Sequence, residues 1–214
     1  LGRYSEAKSI WSRVRNSPLV RDETEQRTVE LLFSAIIDAA AQQGRVADTL
    51  ALLDDLRSFH IMPSAPTFTA AMNACKNAQD GVVAQRLLKD MVSAGREPGL
   101  VTYTIVMGAL REAPLEQVQA LEQEMLARGI ERDAAFVEEH ISALLGITLS
   151  GCARDHNSKR HAQEIRALLP TLSKHRIDAA SAVIADAEAR GCRLTRIART
   201  VQKSLNDLGK NPSD

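Results

Sequence analysis

The sequence is poor in the residues that build β-cores and tight turns. Its 214 residues hold one Trp, two Tyr and four Phe, so an aromatic-rich sandwich or barrel is not expected. Eleven Gly and seven Pro are too few for a collagen-like or largely disordered chain. Three cysteines, Cys75, Cys152 and Cys192, form no even framework, and a reducing compartment is the expectation. Net charge is also lacking, since 27 Lys+Arg balance 27 Asp+Glu. A protein that coats nucleic acid without regard to sequence needs an excess of Lys and Arg. No apolar run reaches the roughly 18 residues of a membrane-crossing helix, so no membrane insertion is expected. The start, Leu1-Gly2-Arg3-Tyr4, has neither a Met nor the apolar stretch of a signal peptide. The expectation is a processed chain or a piece of a longer one. What is present is 44% hydrophobic residues, dominated by Ala and Leu, with Arg beside them. These are strong helix formers.

The clearest signal is internal repetition. Phe33-Ser34-Ala35-Ile36-Ile37-Asp38-Ala39 recurs as Phe68-Thr69-Ala70-Ala71-Met72-Asn73-Ala74, and again as Tyr103-Thr104-Ile105-Val106-Met107-Gly108-Ala109. The aromatic positions step by 35, as do Pro63 to Pro98, Leu53 to Leu88 and Leu56 to Met91. Gly95 to Gly129 and Met91 to Met125 step by 34, so the third unit is one residue shorter. Each unit splits into two helical segments. In the first, residues 31–42 carry an apolar face at Leu32, Ile36, Ala39 and Ala40. Gly44-Arg45 breaks the run, and residues 46–59 place Leu50, Leu53 and Leu56 at helical spacing. Pro63 closes the unit, because proline lacks the N–H that a helix needs. One such hairpin cannot bury its own apolar stripe, whereas stacked hairpins can.

These residues resemble the pentatricopeptide repeat. The match rests on the aromatic near the unit start, Gly-Arg between helices, Leu-Leu-x-x-Leu/Met, and Gly-x-x-Pro. Val101-Thr102-Tyr103-Thr104 and Ala94-Gly95-Arg96-Glu97-Pro98 lie closest to the pattern. The rival tetratricopeptide repeat has a Trp/Leu-Gly/Tyr signature that is missing here. The resemblance implies an all-α fold, a right-handed superhelical solenoid of helix–turn–helix repeats. Whole units are expected at residues 30–64, 65–99 and 100–133. Residues 1–29 read as the second half of a repeat plus a linker, in which Asp22 or Thr24 is a plausible N-cap. Residues 134–208 read as divergent or capping repeats, with a loop at 146–158, a helix at 161–175 broken by Pro170, and a last hairpin at 178–190 and 194–208. Residues 209–214 read as a tail.

The resemblance also implies function. Proteins of this family bind single-stranded RNA in organelles, about one base per repeat. Each first helix offers a small polar side chain to a base edge, and the last residue of the unit offers a second. By that pattern the readers are Ser34 with Ser64, Thr69 with Gly99, and Thr104 with Asp133. Only the last pair matches the family's usual pairings, and it would favour guanine. Glycine has no side chain with which to read. Leu31, Pro66 and Val101 would stack on bases. The implied role is RNA processing, stability or translation in a mitochondrion or plastid. The alternative is a protein–protein scaffold subunit of a ribosome, polymerase or bioenergetic assembly, without base-specific RNA binding. Magnitudes lean toward that alternative. Each well-read base contributes roughly 1–3 kcal/mol, against the roughly 4–10 kcal/mol that separates specific from non-specific binders. Residues 1–133 hold 15 basic and 18 acidic residues, and residues 134–214 hold 12 and 9. The better-matched region is the acidic one.

Other constellations are weaker. Arg193, Arg196, Arg199 and Lys203 form a basic edge about 120° wide on the last helix, opposite Leu194, Ile197, Val201, Leu205 and Leu208. It is either an ordinary solvated face or a surface for phosphates or acidic partners. Cys152, His156 and His161, with Asp155 and Cys192, lack the close cysteine pair of structural zinc sites, so no metal is expected. Cys75 and Trp11 read as core. His60 and His140 have no carboxylate at suggestive spacing. No phosphate-binding glycine loop, nucleophile elbow or paired-histidine motif appears, so neither enzymatic activity nor a cofactor is expected.

Overall fold

The computed structural model describes residues 2–14, 17, 25–147 and 158–210. Among these residues the chain is all-helical: α1 (Gly2–Val14), α2 (Gln26–Ala41), α3 (Val46–Ser58), α4 (Ala65–Ala78), α5 (Gly81–Ser93), α6 (Leu100–Ala109), α7 (Leu115–Ala127), α8 (Ala134–Leu145), α9 (Ser158–Leu168), α10 (Lys174–Ala189) and α11 (Arg196–Lys210). No helix among the described residues is long and apolar enough to cross a membrane. The chain divides into two compact units, Leu1–Ala109 and Leu110–Asp214.

In the first unit α4 packs between α2 and α6, while α1, α3 and α5 pack against these first helices. Phe33 and Phe68 are 0% and 1% exposed, and Tyr103 is 0% exposed, so the 35-residue aromatic step is a step in the core. Leu53, Leu88, Leu56 and Met91 are buried likewise on the second helices. Trp11 of α1 is buried against Phe33, with ring centroids 4.1 Å apart, and its Nε1–H donates to Asp55 at 3.1 Å. Exposed ion pairs cross the outer helices, Lys8–Asp48 at 3.3 Å and Arg57–Asp90 at 3.1 Å. Such pairs contribute at most about 1 kcal/mol each.

The second unit is organised around α8. Phe136, Val137, Glu139, His140, Ile141, Ser142, Ala143, Leu144 and Leu145 are all buried, so most faces of this helix meet protein. α7, α10 and α11 pack on it, and α9 packs on α11. The C-terminal carbonyls of α8 are closed by one guanidinium. Arg176 of α10 donates to Ala143 O at 3.2 Å, Leu144 O at 3.0 Å and Ala113 O at 2.5 Å.

Helix ends differ from the sequence expectation in ways the chemistry explains. α2 starts at Gln26, with Glu25 at the N-cap position, one to three residues from the caps expected, and the buried Val29 extends its apolar face. Asp22 and Thr24 lie outside the described residues. The helix does break at Pro170, and residues 174 and 175 belong to the next helix rather than to the same one. Pro170 sits in a 3-10 turn (Leu169–Thr171), after which α10 begins at Lys174.

The second helices share one stop. Arg96 N–H donates to Met91 O, Ile130 N–H to Met125 O and Ile61 N–H to Leu56 O, at 3.0, 3.2 and 3.0 Å. This closure needs a left-handed residue just before the donor. Gly95 (φ 70°) and Gly129 (φ 75°) supply it, but the first unit puts His60 there at φ 60°. A non-glycine residue pays for that conformation. His60→Gly is therefore expected to raise stability by up to about 1 kcal/mol in urea unfolding, whereas His60→Ala should not.

Candidate nucleic-acid interface

The packing that buries the aromatics sets which residues of each first helix face out. At 100° per residue, Leu31, Ser34 and Asp38 lie roughly 130° from the centre of the buried face of α2. Leu31 is 65% exposed and Val101 67% exposed, and Pro66 is exposed between them in sequence. Large apolar residues this open are few, and two of them stand 70 positions apart at the same place in the repeat. Ser34, Thr69 and Thr104 are half-buried one turn further on.

Pro66, Thr69, Gly99 and Val101 meet in one cleft of about 470 Å³ between α4 and α6, together with Asp38, Asn73, Glu97 and Ile105. The Thr69 hydroxyl donates to Ala65 O at 2.9 Å, and the Thr104 hydroxyl to Leu100 O at 2.8 Å. With the hydrogen committed to the helix, the Thr104 oxygen keeps its lone pairs, whereas the Thr69 oxygen also lies 3.3 Å from the Thr102 hydroxyl and keeps one lone pair for a further donor. Asp38 and Glu97 make the cleft acidic, and no Lys or Arg lines it.

The three unit-end residues hold one structural position, the residue before a first helix. Ser64 caps α4, accepting from Thr67 N–H at 3.4 Å, and its hydroxyl lies 3.0 Å from that of Thr67. Glu30 of α2 accepts from both Ser64 N–H and the Thr67 hydroxyl, at 3.0 and 3.2 Å. Asp133 caps α8 through one oxygen, 2.7 Å from Phe136 N–H, and keeps its second oxygen in solvent. Gly99 carries no cap, and a Cβ built there would meet nothing within 4 Å. Short polar residues are thus favoured at these positions by helix capping alone. Ser64 is largely used up by that role.

The basic edge lies in the second unit. Arg193, Arg196, Arg199 and Lys203 are all exposed. Cys75 is buried, and burial together with Asp80 pushes its thiol up to about 12, which leaves it an inert hydrophobe. Cys152 and His156 lie outside the described residues, as does the side chain of His161. No group of metal-ligating side chains occurs among the described residues.

The expectation that His140 lacks a carboxylate is corrected. His140 is 1% exposed and its Nδ1 lies 3.2 Å from Glu122 of α7. Glu122 also meets Arg132 at 3.1 Å, and Arg132 reaches Asp186 of α10 at 2.7 Å. A second buried pair joins Glu139 of α8 to Arg111 in the segment before α7, at 3.3 Å. Breaking such pairs costs more than forming them gains. Burial pushes the Glu122 carboxyl up, but His140 and the Arg132 guanidinium beside it outweigh that, and the net shift is downward. A carboxyl depressed in the folded state contributes stability above its unfolded value, near 4.3. That contribution is lost as pH falls through the lower folded value. Glu122→Gln should therefore unfold more easily than the parent at neutral pH, and the difference should shrink on acidification below about pH 4. Urea midpoints measured against pH check this.

Comparison with known proteins agrees with this architecture. The sequence family described as the pentacotripeptide-repeat region of PRORP matches residues 20–169. No curated protein sequence matches the chain. Among solved structures, the pentatricopeptide repeat protein PPR10 from maize superposes over 97% of this chain with a TM-score of 0.56 and 18% identity. The chain spans 29% of that protein's length. The repeat domain of Arabidopsis thaliana protein-only RNase P 1, solved with tRNA, covers 86% of this chain and is itself 93% covered, with a TM-score of 0.49 and 18% identity. The first-helix core step, the shared helix stops and the family match over residues 20–169 lead to one conclusion: the chain belongs to the pentatricopeptide repeat family.

Proposed function

We propose that the chain binds single-stranded RNA, seating bases on the outward strip of α2, α4 and α6. The observation that carries this reading is the cleft lined by Pro66, Thr69, Gly99 and Val101. A base entering it slides between two aliphatic surfaces. The Thr69 oxygen accepts from a base N–H, because its own hydrogen is held by Ala65 O. Asp38 and Glu97 repel phosphate, so the base edge enters and the backbone stays outside. Ser34 and Thr104 take the equivalent place on their helices, with Leu31 as the further stacking surface. By the family pattern Asp133 is the remaining edge contact, whereas the hydroxyl of Ser64, the other residue of that pattern, is held by Thr67. By family resemblance the role is RNA processing, stability or translation in a mitochondrion or plastid.

The acidic lining favours one alternative, a scaffold that holds other subunits of a large assembly without reading bases. Fluorescence anisotropy with single-stranded homopolymers at about 50 mM salt separates the two. For RNA binding, the double change Pro66→Ser with Val101→Ser is expected to weaken binding by about 1–3 kcal/mol, roughly 5- to 150-fold. Gly99→Asp, which has room and adds a cap to α6, is expected to create a preference among the four homopolymers. Absence of binding to all four by the folded parent chain overturns the RNA reading and leaves the scaffold.

A further inference from the structure

The last helix carries a feature that neither the repeat pattern nor the cleft uses. Residues 193–210 contain five basic residues, Arg193, Arg196, Arg199, Lys203 and Lys210, and one acidic residue, Asp207. On α11, Ala198, Val201, Ser204 and Leu205 are buried. At 100° per residue that buried face is centred near 140° from Arg196, while Arg196, Arg199 and Lys203 fall within about 60° of one another on the opposite side. The helix therefore turns its cations straight away from the core of the second unit. The family match ends at residue 169, so this helix lies outside it.

The nearby carboxylates are occupied. Asp186 pairs with Arg132 and Arg190, Glu188 accepts from Gln202, and Asp207 pairs with Arg166 at 2.8 Å. The side chains of Arg193, Arg199 and Lys203 have no hydrogen-bond or ion-pair partner among the described residues, whereas Arg196 is engaged within the protein. Arg45, Arg57 and Arg128, by contrast, each face a carboxylate. Like charges gathered on one strip repel, and a polyanion relieves that repulsion by releasing its own counterions. Guanidinium groups suit phosphate because two N–H donors match two oxygens.

We propose that the exposed basic face of α11, Arg196, Arg199 and Lys203, with Arg193 just before the helix, is a docking surface for the RNA phosphate backbone. It rests on the RNA-binding reading. This basic face holds RNA by its phosphates without selecting sequence.

The test compares the parent chain with the triple variant Arg193→Ala/Arg199→Ala/Lys203→Ala and the charge-retaining variant Arg193→Lys/Arg199→Lys. All three side chains are solvent-exposed, so the fold should persist, and circular dichroism checks it. Anisotropy with an unstructured single-stranded RNA is read across a salt series. The triple variant is expected to bind about 10-fold or more weakly at low salt. Its log Kd against log salt should flatten by about 2, from a slope of about 0.7 per phosphate contact in single strands. The lysine variant should keep the parental slope, and base preference should be unchanged in both. Binding by the parent with an unchanged slope in the triple variant overturns the docking surface alone. No binding by the parent overturns the RNA reading, and the docking surface with it. Displacement of RNA by polyglutamate as effectively as by unlabelled RNA overturns the commitment to phosphate and points to an acidic protein partner.

Discussion

One aromatic side chain per first helix, buried in the core, is the constraint from which the rest of the first unit follows. Phe33, Phe68 and Tyr103 are each sealed from solvent. A helix with such a ring fixed in the core cannot roll. Its residues two before and one after the ring must then face outward, which is where Leu31, Ser34, Pro66, Thr69, Val101 and Thr104 stand. The exposure of Leu31 and Val101 costs burial energy that a core position would have recovered. The repeat geometry imposes that exposure, and it is what makes a stacking surface available.

Capping and reading compete for the same atoms. The residue before each first helix is chosen by the need to satisfy backbone N–H groups, and a short polar side chain does so. Asp133, with two oxygens, can cap and still offer an acceptor, whereas the single hydroxyl of Ser64 is spent on Thr67. Charge divides in a similar way. Acidic groups line the cleft in the first unit, and in the second the side chains of Arg199 and Lys203 on α11, with Arg193 just before it, have no partner among the described residues.

Much of this was legible in the sequence because repetition converts weak local signals into a strong one. The step of 35 between Phe33, Phe68 and Tyr103 located the core, and Gly95 and Gly129 located helix stops. His60 concealed the same stop, since its left-handed backbone shows only in coordinates. The outward placement of Leu31, Pro66 and Val101 came from the family pattern; an apolar residue on an amphipathic helix otherwise reads as core. The buried group of Glu122, Arg132, His140 and Asp186 was not legible. Its members come from separate helices and one loop, and only tertiary packing brings them together. The division of the chain between Ala109 and Leu110 also falls inside the stretch 100–133 that the pattern reads as one repeat.

Hydrogen exchange on Phe68→Ala tests the founding constraint directly. Removing a fully buried phenyl costs about 3–5 kcal/mol. If neighbouring first helices depend on one another's buried rings, amide protection falls in α2 and α6 as well as in α4, with Leu31→Ala as the silent control. Loss of protection confined to α4, with α2 and α6 as slow as in the parent chain, would contradict the account.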